Sequence, residues 1–191
     1  MKKHRVLDLG SGSFPYDAKE TEEVVSVDIR PETGPTIVHD LSVIPYPFAD
    51  NSFDLIHISH VLEHLPDNVR VMDEIYRIMK PNGKLIVRVP HFSSHSAWGD
   101  PTHLRAYSSY QFRYYSRNHR DHYGNCDFEL MMVKLRYTRL RRGFMVSTLL
   151  SPVINGLANL NVRFCERVWC YWVGGFSELY VELTAIKSHK E

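Results

Sequence analysis

Val6-Leu7-Asp8-Leu9-Gly10-Ser11-Gly12-Ser13 lies almost at the start of the chain and decides how the rest is read. An apolar run that ends in an acid and opens onto two glycines one residue apart is the exit of a parallel strand onto a ligand. Glycine alone lets backbone amides approach a ligand so closely. Working outward, Val24-Val25-Ser26-Val27-Asp28 and Thr36-Ile37-Val38-His39-Asp40 are two further β-branched runs that end in acids. Residues 10–23 are all that separates the first two runs, near the lower limit for a parallel crossover, so any helix between them is short.

Ser52 to Ser59 is apolar enough for a central strand. Asp67 is a good N-cap, and Val69, Met72, Ile75, Tyr76 and Met79 follow at the spacing of an amphipathic helix that Lys80-Pro81-Asn82-Gly83 stops. Lys84–Val89, Phe128–Tyr137 and Ser177–Lys187 read as the remaining strands, the last two an antiparallel pair at one edge. Strands alternating with crossovers predict an α/β, Rossmann-like, mostly parallel seven-stranded sheet with an antiparallel final strand and helices on both faces.

With 191 residues, 43% hydrophobic and 24% charged, the chain has the balance of one domain over 1–191. The stretches 91–124 and 143–176 then read as insertions that form a substrate-side lid or an interface. A net charge of +1 gives no overall attraction to nucleic acid. Cys126, Cys165 and Cys170 show no disulfide framework and no zinc knuckle, which suits a reducing cytoplasm. Met1 to Arg5 runs straight into the first strand without the apolar region of a signal peptide.

Two ligands suit a strand, a glycine turn and an acid at the end of the second strand. A dinucleotide wants a third glycine and a full helix at the pyrophosphate, but Pro15 and a short crossover stand here. S-adenosyl-L-methionine has no phosphate. It needs backbone groups for its amino-acid end, an acid for the ribose and an acceptor for the adenine amine, and Asp8 to Gly12, Asp28 and Asp40 occur in that order.

Five motifs now coincide: Val6 to Gly12, Val27-Asp28-Ile29, Asp50 to Ile56, Val61-Leu62-Glu63-His64-Leu65, and Glu74 to Gly83. Together, residues 5–105 resemble the class I S-adenosylmethionine-dependent methyltransferases, close to the UbiE/methyltransferase type 11 group. The resemblance implies that Asp8, Gly10 and Gly12 belong to the cofactor site, with the glycines cradling the methionine end. It also implies that Asp28, beside Ile29, binds the ribose, that Asp40 and Leu41 flank the adenine, and that Ser59 and His60 lie near the methionine amino group and the transferable methyl. Phe14 stands where the family's usual third glycine does.

Methyl transfer is an in-line displacement, and a base is needed only for an acceptor with a proton to lose. His60, His91 and His103 follow the fourth and fifth strands and are the catalytic candidates; His57 and His64 read equally as packing residues. The set His91, His95, Asp100 and His103 does not match a metal-ligand spacing, so no metal is expected. Tyr107, Tyr110, Phe112, Tyr114 and Tyr115, interleaved with Arg105, Arg113, Arg117 and Arg120, suit either a packed lid or the stacking of a sugar-like or anionic small-molecule acceptor. A non-catalytic cofactor-binding protein and an RNA methyltransferase are the alternatives, the second set back by the lack of Asn-Pro-Pro-Tyr after the fourth strand. Gly143 to Val162 is free of charge, but Pro152, Asn155 and Asn159 argue against a transmembrane span. That segment suits a helical lid or a homodimer surface, with peripheral membrane contact, helped by Arg139, Arg141 and Arg142, as the other reading.

Overall fold

The computed structural model describes residues 3–137, 145–172 and 175–187, the first five of the middle stretch by backbone alone. Its seven strands are β1 (His4–Leu9), β2 (Glu22–Asp28), β3 (Ile37–Val38), β4 (Phe53–Ser59), β5 (Met79–Pro90), β6 (Phe128–Arg136) and β7 (Glu178–Ala185). They form one sheet in the order β3-β2-β1-β4-β5-β7-β6. Pairings from β3 to β5 are parallel, and β7 runs antiparallel to both β5 and β6. This is the α/β, Rossmann-like sheet that the alternation of strands and crossovers predicts.

β1 lies between β2 and β4, and Val6 to Leu9 are all buried, which is why its apolar run is continuous rather than alternating. β4, β5 and β7 alternate instead. Ile56, Ile58, Leu85, Val87, Val181 and Leu183 face the core, while His57, Ser59, Ile86, Arg88, Tyr180 and Glu182 lie half-buried on the other face. Helix α1 (Asn68–Ile78) adds Val71, Met72, Ile75 and Ile78 to the core, each such burial worth about 1.5–3 kcal/mol. The Asp67 carboxylate caps it by accepting from Arg70 N at 3.1 Å. β5 begins at Met79 rather than Lys84, because Met79 already pairs with Phe53 across a register irregularity.

The β1–β2 connection contains no helix, a correction to the short one the sequence allowed. Pro15 lacks an N–H, and Tyr16 N bonds Asp8 Oδ2 at 2.8 Å instead of joining a helical turn. The polar sheet face carrying His57 and Arg88 is therefore thinly covered on this side.

After β5 come α2 (His95–Gly99) and a 3₁₀ segment over Ser109–Tyr115. In the aromatic and arginine stretch, part of the side chains is taken up by internal contacts. Tyr107 and Phe112 are buried against each other, Tyr107 meets Asn68, and Arg105 and Arg117 are spent on the carbonyls of Pro66 and Asn125. Between β6 and β7 lie α3 (Met145–Leu160), α4 (Val162–Phe164), a π turn over Cys165–Trp169 and α5 (Cys170–Trp172). α3 covers the open edge of β6: Asn159 Oδ1 accepts from Leu135 N at 2.8 Å, its Nδ2 donates to Leu135 O at 2.9 Å, and Asn155 Oδ1 accepts from Tyr137 N at 2.7 Å. Its outer face shows Leu150, Val153, Leu157 and Leu160, and the stripe continues at Phe164 and Val168, all exposed. Among the described residues, no helix is long and apolar enough to cross a membrane. Arg139, Arg141 and Arg142 lie outside the described residues.

Candidate active site

The site begins where β1, β2 and β4 end. Gly10 turns at φ 71°, and a Cβ there would clash with the Val61 side chain, so glycine suits the turn beside the chain leaving β4. The amides of this turn are already engaged: Gly10 N and Ser11 N donate to Val27 O, and Gly12 N donates to Asp28 Oδ2 at 2.7 Å. Gly12 thus supports Asp28 rather than offering a free donor, and its own φ of 51° serves that turn. Asp28 Oδ1 accepts from Arg30 N at 2.9 Å and Nε at 3.3 Å. Burial pushes the Asp28 carboxyl up, but the N–H groups of Arg30 and Gly12 outweigh it and hold the group ionised, below its usual range.

Gly10, Asp28, Ile29, Asp40 and Leu41 line one cleft of about 590 Å³, together with Arg30, His39, His60, Val61 and His64. Ile29 presents an exposed apolar side chain at its rim. Asp40 accepts from Ser42 N at 2.8 Å, and that N–H, with the Ser42 side chain, lowers its pKa. Leu41 is buried and receives the Tyr46 hydroxyl on its carbonyl.

Asp8 is not part of this lining. Its buried carboxylate is taken by Tyr16 N and by His57 Nδ1 at 2.7 Å, so its role is to lock β1 to β4 and to the following loop. Ser59 lines a neighbouring cleft of about 570 Å³, with Phe14, Arg88, Arg136 and Tyr180. His60 borders both clefts.

The three histidine candidates do not converge. His60, at φ 55°, has Nε2 3.2 Å from Glu178 Oε2 and Nδ1 3.4 Å from Glu63 Oε1. The hydrogen bond to Glu178 first, then the Glu63 carboxylate facing Nδ1, outweighs burial and raises its pKa to about 9. His60 is therefore a cation and donor at neutral pH, which corrects its reading as a general base. His91 is fully buried, with Nδ1 2.6 Å from Ser93 Oγ and Nε2 3.3 Å from Glu166 Oε1. It ties the post-β5 loop to the π turn and reaches neither cleft. His103 packs edge-on against His64, ring centroids 4.7 Å apart.

The largest charged assembly on this edge has no sequence signal. Glu178 starts β7, and β7 is antiparallel, so its first residue lies beside the last residues of β5 and β6. Arg88 Nη2 reaches Oε2 at 2.7 Å, Arg136 Nη1 reaches Oε1 at 3.0 Å, and His60 joins them. Burial opposes ionisation of Glu178, but His60, Arg88 and the Arg136 charge bring its pKa down to about 2. Arg30, His39 and His64 also line the main cleft without having been singled out for it; Arg30, two residues beyond the strand-end acid, is the one a local pattern could have given.

A family model described as a methyltransferase domain matches residues 7–87, from β1 into β5. Over residues 7–87 the chain carries a methyltransferase domain. The ubiquinone/menaquinone biosynthesis C-methyltransferase UbiE of Pseudoalteromonas translucida is 35% identical over 106 residues, covering 45% of this chain and 42% of that protein. The chain therefore matches less than half the length of that relative. A methyltransferase from Archaeoglobus fulgidus shares the fold at TM-score 0.56 and 18% identity, over 95% of this chain and 86% of that one. So does the phosphoethanolamine N-methyltransferase 2 of Haemonchus contortus, in complex with S-adenosyl-L-methionine, at TM-score 0.60 and 16% identity, over 98% and 50%. The family match to the methyltransferase domain includes Gly10, Asp28, Asp40, Ser59 and His60 and ends before His91 and His103.

Proposed function

We propose that the chain transfers a methyl group from S-adenosyl-L-methionine to a small-molecule acceptor of sugar-like or anionic character. The observation that carries this is the gathering of Gly10, Asp28, Ile29, Asp40 and Leu41 on one cleft at the carboxyl edge of the sheet. The residues fit the cofactor: Gly10 lets the turn pass beside Val61 at the cleft, Asp28 is an ionised acceptor for ribose hydroxyls, and Ile29 offers an apolar surface to the adenine. When bound, the cofactor supplies an electrophilic methyl group on a sulfonium. Val61 and Leu65 exclude water from the wall of the cleft, and Arg88 and Arg136 give the adjoining cleft a cationic rim suited to an anionic group. His60, with both ring nitrogens turned to Glu178 and Glu63, fixes the wall between the two clefts. On this reading the segments 91–124 and 143–176 belong to the same domain over 1–191 and close the acceptor side.

Calorimetry with S-adenosyl-L-methionine and its demethylated product tests this directly. Asp28→Ala is expected to weaken binding by about 10–100-fold, the loss of two hydrogen bonds to a charged acceptor. Unchanged affinity in that variant, or no binding by the wild type, removes the reading. Binding without turnover on any sugar-like or anionic acceptor favours the non-catalytic alternative.

The exposed stripe supports a second copy of the chain as partner. Leu150, Val153, Leu157 and Leu160 recur at three- and four-residue spacing along α3, the seam of a self-complementary helical interface, and Phe164 and Val168 beyond its end are exposed as well. Sedimentation is expected to show a wild-type dimer that Leu157→Glu converts to monomer. A wild-type monomer at tens of micromolar would end the dimer reading, and vesicle binding lost in Leu157→Glu would assign the stripe to a membrane surface.

A further inference from the structure

One wall of the main cleft holds a cluster that the reading above does not use. Glu63 and His64 lie in the 3₁₀ turn Leu62–His64 after β4, and His103 belongs to the loop after α2. That loop is fastened over the turn: Leu104 N donates to Glu63 O at 2.8 Å, and Arg105 Nη2 donates to Pro66 O at 2.7 Å. One nitrogen from each imidazole and one oxygen of Glu63 lie within 4.8 Å of one another.

Glu63 is the unusual member. It has no exposed surface, and neither carboxylate oxygen receives a hydrogen bond; the nearest cation is His60, with Nδ1 3.4 Å from Oε1. His60 faces Oε1 only, and the buried Oε2, with no partner, has room for a further positive ligand.

The neighbours of the two imidazoles favour the tautomer that ligation needs. Thr102 Oγ1 gives its single proton to Asp100 Oδ1 at 2.7 Å, so at 2.9 Å it accepts from His64 Nδ1–H. His103 Nδ1 faces Ala97 O at 3.4 Å, and a carbonyl can only accept. An Nδ1–H on each ring, as these acceptors favour, would keep the Nε2 lone pair for a ligand, the outer-shell pattern of metal-bound histidine. Asp100 Oδ2, 3.8 Å from His103 Nε2, adds a second carboxylate at the rim.

We propose that Glu63, His64 and His103 bind a divalent transition metal such as Zn²⁺. Two imidazoles and one carboxylate favour such an ion over Mg²⁺ or Ca²⁺, which prefer all-oxygen shells. His103 belongs to the set His91, His95, Asp100 and His103, but its partners Glu63 and His64 lie about forty residues earlier, so no local spacing shows the site. Three protein ligands leave a position open, and His64 lines the cleft. On the methyl-transfer reading, on which this consequence alone rests, that position would receive an acceptor oxygen and lower its pKa.

The test needs neither cofactor nor turnover. Chelator-stripped full-length chain is titrated with Zn²⁺ against a chromophoric chelator, and with Co²⁺ while visible absorption is followed. One equivalent per chain is expected, with Co²⁺ bands of a nitrogen- and oxygen-ligated ion. His64→Ala and His103→Ala should each weaken Zn²⁺ by on the order of 100-fold, and Glu63→Gln by at least about 10-fold, while His95→Ala leaves it unchanged. His103→Gln stands in should the alanine variants fail to fold. Absence of stoichiometric binding, or binding indifferent to the His103 substitution, overturns the site. Calorimetry with S-adenosyl-L-methionine on the same samples reports separately on the methyl-transfer reading.

Discussion

Glu178→Gln is expected to lower stability at pH 7 by about 2 kcal/mol, read as a shift in the denaturation midpoint. The carboxylate is nearly buried, and three cationic groups from β5, β6 and the end of β4 close on it. Each partner is a third to a half exposed, so solvent screens the attraction and keeps the figure below what the pKa of about 2 alone suggests. The sign of the pH dependence follows from that depressed value. The contribution is full above the ordinary carboxylate range and is lost as pH falls from about 4.5 towards 2. Wild type and variant should therefore converge in acid, measured as the difference between their denaturation free energies. A gap at pH 7 that persists unchanged at pH 2.5 would show that Glu178 acts through shape rather than charge.

Gly10→Ala is expected to abolish measurable cofactor binding and to destabilise the fold by about 1–3 kcal/mol. Two causes act together. The backbone at φ 71° strains any residue with a Cβ, and the new methyl would clash with the side chain of Val61, which lines the cleft and must shift. A double-mutant cycle separates them. Gly10→Ala combined with Val61→Ala should recover the part due to the clash and leave the part due to backbone strain. No coupling between the two sites, by thermal denaturation and calorimetry, would place the fault of Gly10→Ala elsewhere.

Much of the architecture was legible because local chemistry and global position agree. The unbroken apolar run of β1 follows from its burial between two parallel strands, and the cap at Asp67 and stripe through Ile75 and Ile78 follow from one buried helix face. Gly10, Asp28 and Asp40 were legible because strand ends in a parallel sheet share one edge, so three acids and a turn in order imply one cleft. Asp8 looked the same in sequence, but whether a carboxylate meets solvent or a neighbouring strand's histidine depends on pairing register, and here Asp8 stands opposite His57. The histidines were the least legible. His60 and His91 carry the right group for proton transfer, yet Glu178 and Glu166, which determine what they do, lie more than seventy residues away in sequence. The helix-free β1–β2 connection was half visible, since Pro15 disfavours a helix but only the bond from Tyr16 N to Asp8 shows what replaces it.

The asparagines of α3 bear on how this protein meets its neighbours. By taking up both the N–H and the carbonyl of Leu135, Asn159 occupies the row of backbone groups that another strand would use. At the opposite end of the sheet β3 is two residues long, too short to template an added strand. One end of β6 is thus blunted by α3 and the opposite edge by its shortness, which disfavours strand addition at both places.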